Sequence, residues 1–120
     1  MKQIKIKYIV VAEDDIFIRQ AVMDRLEMVT SGNEILISGT QDPEKVKAAL
    51  ADPEAVVILD GSVAILAKVD IKSLDRHRVI VFSGCDDFLA KARNAGLPAI
   101  QKGAKSELLT QMVLSMAGIG

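Results

Sequence analysis

Val56-Val57-Ile58-Leu59-Asp60 is the stretch whose reading decides the fold: an unbroken apolar run, largely β-branched, that ends in a carboxylate. It is too short to stand as a helix, and continuous apolar character is that of a strand covered on both faces in a parallel sheet. Asp60 then lies at the strand's carboxyl end. In open α/β sheets ligands bind outside that edge. Asp60 followed by Gly61 and Ser62 is also good turn chemistry, so the residue taken alone reads equally as a turn former or as part of a site.

Working outward, Ile4 to Ala12 alternates and then becomes wholly apolar, which predicts a strand entering a sheet centre. Glu13, Asp14 and Asp15 follow at once, and Ile16, Phe17, Ala21, Val22, Leu26 and Val29 recur at helical spacing. Asp15 is placed to cap that helix. A turn with Gly32-Asn33 at its tip leads to a shorter strand, Ile35 to Gly39. Asp42-Pro43 opens a second helix and Asp52-Pro53 closes it.

Past Asp60, Ser62 to Val69 predicts a short helix, and polar residues through Arg76-His77-Arg78 lead to a strand at Val79 to Phe82. Asp86 and Asp87 are expected to cap a helix that stops at Gly96. Ala99 to Gln101 forms a last strand, and a final helix from Ser106 turns Leu108, Leu109, Met112, Val113 and Met116 inward. Five strand-helix pairs predict a single α/β domain over 1–120, a parallel sheet with helices on both faces.

Composition excludes several functions. Half the residues are hydrophobic and the formal net charge is -1, which rules out an acidic disordered tail and offers no basic footprint for nucleic acid. Cys85 is the single cysteine, so no intramolecular disulfide forms, in keeping with a reducing compartment. No signal-peptide core or membrane-length apolar run is present, and the expected location is cytoplasmic, away from membranes. His77, the only histidine, has no companion at metal-ligand spacing and reads as a surface residue.

Strand ends carry the candidate chemistry. Glu13 and Asp14 end the first strand, Asp60 the third, Ser83 the fourth and Lys102 the fifth, and parallel strands bring all of them to one edge. Carboxylates gathered there repel, at roughly 4 kcal/mol for two charges about 4 Å apart in an effective dielectric near 20. A cation relieves this, and oxygen-only donors suit Mg2+. With Lys102 and Ser83 facing the metal, Asp60 is placed as nucleophile for phosphoryl transfer.

Val10-Val11-Ala12-Glu13-Asp14-Asp15 with Ile18-Arg19, Val57-Ile58-Leu59-Asp60, Val81-Phe82-Ser83-Gly84 and Ile100-Gln101-Lys102 together resemble the receiver domain of two-component response regulators, over essentially the whole chain. The resemblance implies a (βα)5 flavodoxin-like three-layer sandwich, sheet order 2-1-3-4-5, with the first and fifth helices on one face. It implies that Asp14 holds Mg2+ directly and Glu13 largely through water, with the main-chain carbonyl of Ser62 as a further ligand. It makes Asp60 the phosphoacceptor, Ser83 the switch hydroxyl and Lys102 the phosphoryl-binding lysine. The implied partners are a histidine kinase or phosphotransfer protein as donor and a downstream protein as target; homodimerisation through the fourth or fifth helix is a family habit.

Departures from the family pattern keep a second expectation open. Gly61-Ser62-Val63-Ala64 lacks the usual Met-Pro, Ala99 replaces an aromatic, Gly103 replaces a proline, and the third and fourth helices are short. These favour a pseudo-receiver, an interaction module that signals without phosphate. A haloacid-dehalogenase-like phosphatase also uses a strand-end Asp and Mg2+, but needs a second acid where Ser62 stands. A nucleotide-binding Rossmann fold is excluded, since acids and no glycine-rich loop follow the first strand.

Overall fold

In a computed structural model, residues 4–119 are described. Five parallel strands, β1 (Tyr8–Ala12), β2 (Leu36–Thr40), β3 (Ala55–Leu59), β4 (Val79–Ser83) and β5 (Ala99–Gln101), form one sheet in the order β2-β1-β3-β4-β5. Five helices alternate with them: α1 (Ile16–Val29), α2 (Pro43–Ala51), α3 (Gly61–Leu66), α4 (Asp86–Asn94) and α5 (Ser106–Ala117). The fold is flavodoxin-like.

Strand alternation sorts the core into two layers. Ile9 and Val11 of β1, Val56 and Ile58 of β3, Ile80 of β4 and Ile100 of β5 pack with Leu26 of α1 and with Leu109 and Val113 of α5. On the opposite face Val57, Leu59 and Val79 meet Val46 of α2 and Val63 of α3. Val81 packs with Leu89 and Ala92 of α4. Every residue of β3 is buried, as the central run predicts.

Several local expectations shift. Ile4 to Lys7 is not part of β1, and β2 starts and ends one residue later than its apolar run. Ile16 and Phe17 are 60% and 84% exposed, because α1 begins at the rim, before the helix crosses the core. Leu108 is exposed as well, and Met112 and Met116 are only partly buried around Leu109 and Val113. The cap of α4 is Cys85, with Asp86 and Asp87 in the first turn, where the helix dipole favours acids. Gly96 has φ +83°, the left-handed turn that ends α4.

Candidate functional site

Because the strands are parallel, their carboxyl ends share one rim. The backbone ladder continues past the strands there: Glu13 N–H donates to the Thr40 carbonyl at 3.1 Å, Asp60 N–H to Ala12 at 2.9 Å and Lys102 N–H to Ser83 at 3.0 Å. Glu13 and Asp60 are thereby fixed on adjacent strand ends, with Lys102 across the end of β4.

Their side chains meet. Lys102 Nζ donates to Asp60 Oδ1 at 2.6 Å and lies 2.7 Å from Glu13 Oε1. Asp60 does both things its sequence context suggested, since its Oδ2 also accepts the Val63 N–H at 3.2 Å and caps α3. Glu13 Oε2 accepts the Asp15 N–H at 3.1 Å. Asp15 caps α1, its Oδ1 accepting the N–H groups of Phe17 and Ile18. Asp14 is exposed, and one carboxylate oxygen from each of Glu13, Asp14 and Asp60 lies within 4.8 Å of the others.

Burial makes this costly. Glu13 and Asp60 are 2% and 3% exposed. Burial holds the Glu13 carboxyl above its ordinary pKa, against the pull of the Lys102 ammonium. Asp14 is held below the usual carboxylate range, chiefly by its hydrogen bond with Glu13. Burial works against the Lys102 charge, but the two carboxylates it touches, Asp60 before Glu13, outweigh it and raise its pKa. The ammonium stays charged.

Among the described residues, Glu13 Oε1 is buried with the Lys102 ammonium at 2.7 Å as its charge partner. The gathered oxygens of Glu13, Asp14 and Asp60 are a donor set that could hold a hard cation. Lys102 already supplies one positive charge to three acids, so part of the expected repulsion is relieved within the chain itself.

Two further expected residues lie next to these. Ser83 Oγ is buried, accepts the Cys85 N–H at 3.0 Å, and lies so close to Gly61 that a Cβ there would sit 3.1 Å from it. This hydroxyl makes no hydrogen bond to the side chain of Asp60 or of Lys102. Ser62 is the exposed second residue of α3, which starts directly after Asp60. His77 is exposed.

Sequence reasoning missed two contributors. Arg19 Nη1 donates to the Glu13 carbonyl at 2.7 Å, and the Phe82 ring lies with its centroid 5.9 Å from Lys102 Nζ. Strand phase could have found Phe82; only the packing of α1 across β1 and β2 reveals Arg19. No family model matches the chain, and no curated protein matches it.

Proposed function

We propose that the chain is a receiver domain that takes a phosphoryl group onto Asp60 from the phosphohistidine of a histidine kinase or phosphotransfer protein, with Mg2+ held by Glu13, Asp14 and Asp60. One observation carries this reading: a single ammonium, Lys102, set 2.6 Å from Asp60 and 2.7 Å from Glu13 at the rim where three carboxylates gather. Such a group is charged, partly desolvated and already aimed at the oxygen that would react.

In the transfer an Asp60 carboxylate oxygen forms the new bond to phosphorus. The phosphorus–nitrogen bond to the donor imidazole breaks, and its electron pair returns to the ring. Lys102 follows the negative charge from Asp60 Oδ1 to the phosphoryl oxygens. Ser83 Oγ accepts from Cys85 N–H and so keeps its own O–H free to donate. Bound Mg2+ would neutralise charge on the transferring group. Lys102 leaving Glu13 is the local event that a partner surface around α4 and β5 would read.

The phosphate-independent reading, a pseudo-receiver, has its own support. Lys102 Nζ bridges Glu13 and Asp60 at 2.7 and 2.6 Å and supplies a counter-charge from within the chain. Intact-mass measurement after incubation with acetyl phosphate and Mg2+ separates the two. The receiver reading expects one added phosphoryl group, lost in Asp60→Asn. An unchanged wild-type mass, or a gain that persists in Asp60→Asn, favours the pseudo-receiver.

A further inference from the structure

Resting on the Mg2+ reading above, we infer that Arg19 and Gly39 form a positioning device for the acid pair: Arg19 holds the main chain of Glu13, and Gly39 provides the space in which it does so.

Arg19 lies in the first turns of α1 and is half-buried. Glu13 sits just past β1. Its N–H still reaches the Thr40 carbonyl of β2 at 3.1 Å, while its own carbonyl takes Arg19 Nη1 at 2.7 Å. With the Asp15 N–H on Oε2, the Glu13 to Asp15 segment is tied to the sheet, to a guanidinium and to a helix start. The directions in which the carboxylates of residues 13 and 14 leave the backbone follow from those ties. Groups that orient ligands without touching the metal are worth large factors in affinity.

Gly39 belongs to β2 and faces α1. A Cβ there would lie 2.9 Å from Arg19 Cγ, 2.8 Å from Arg19 Cδ and 2.6 Å from Met23 Sδ. Those arginine atoms are the stem of the side chain, so a substituent at 39 requires that stem and the Met23 thioether to shift. The demand is for room, since Gly39 has no left-handed φ.

Charge and position predict opposite signs. A guanidinium near a cation site repels the cation, so on charge alone its removal tightens Mg2+ binding. As a positioning residue, Arg19 gives the reverse when removed.

The test titrates Mg2+ alone into the full chain, follows backbone amide resonances of residues 12 to 15 and 60, and pairs each variant with metal-free thermal unfolding. Arg19→Met is expected to raise the Mg2+ Kd on the order of tenfold. Gly39→Ala, which touches no carboxylate, moves the Kd in the same direction, and Arg19→Lys recovers part of the loss. Equal or tighter binding in folded Arg19→Met overturns the inference. Unchanged affinity in Gly39→Ala removes Gly39 from it. If Arg19→Met does not fold, Arg19→Lys and Gly39→Ala decide, and wild-type affinity in both overturns the inference. A wild type that shows no response to Mg2+ instead overturns the metal reading itself, and this inference with it.

Discussion

Arg78 at the amino end of the sheet and Lys102 at the carboxyl end are cations of similar exposure, with 18% and 20% of their side chains accessible. Their partners differ. Arg78 donates through Nη1 to the carbonyls of Asp52 at 2.6 Å and Ala55 at 3.1 Å, and through Nε to Asp75 at 3.1 Å. It satisfies groups that are mostly neutral and stitches the starts of β3 and β4 together. Lys102 faces two buried carboxylates, and a third, Asp14, gathers beside them. A staple leaves nothing wanting, whereas the carboxyl rim sets one ammonium against three carboxylates. An imbalance of that kind separates a candidate site from a structural ion pair.

The comparison can be sharpened by removing each cation in turn. Lys102→Met leaves two buried acids without their counter-charge and is expected to lose about 3 kcal/mol in urea unfolding at neutral pH. The sign with pH follows from the raised Lys102 pKa. Its stabilisation is full below the ordinary lysine range and is lost as pH rises through the raised value, so wild type and Lys102→Met converge only in strong alkali. Arg78→Met removes donors from backbone carbonyls and is expected to cost about 2 kcal/mol. It should leave Mg2+ titration at the far end unchanged; a shift there would break the comparison.

Smaller effects test the surroundings of each end. At the carboxyl rim, a Cβ on Gly61 would meet Phe88 Cδ2 at 2.9 Å, and Gly61→Ala is expected to cost about 1 kcal/mol in urea unfolding as the ring shifts. At the amino end Asp75 is held below the usual carboxylate range, first by the His77 N–H and then by Arg78. Its contribution is present above the ordinary aspartate range and lost as pH falls through the lowered value. The group is largely solvated, so Asp75→Asn should cost only a few tenths of a kcal/mol at neutral pH, a difference that closes in acid.

These two ends also differ in how well the sequence announces them. Asp60, Glu13, Asp14 and Lys102 are legible because a parallel sheet must carry its strand ends to one rim, and each lies within two residues of a strand end. Sequence order says nothing of which charges then touch. Magnesium was therefore the expected relief for the acids, while Lys102 already lies against two of them. Arg78 reads as one member of a basic surface group, and only the approach of the chain around Asp52 to Ala55 makes it a staple. Ser62 shows another limit: where α3 starts, at Gly61 with no intervening loop, depends on Asp60 capping it. Exposed Ile16 and Phe17 fit the helical period yet lie beyond the core, since periodicity assigns a face and not how far the sheet extends beneath it.

Most direct is to locate the modified residue. After incubation with acetyl phosphate and Mg2+, hydroxylamine converts an acyl phosphate to a hydroxamate that survives proteolysis, and peptide mass mapping identifies its position. The account predicts the hydroxamate on Asp60 and nowhere else, with none formed when Mg2+ is withheld. A hydroxamate at another acid, or none at any, would contradict it.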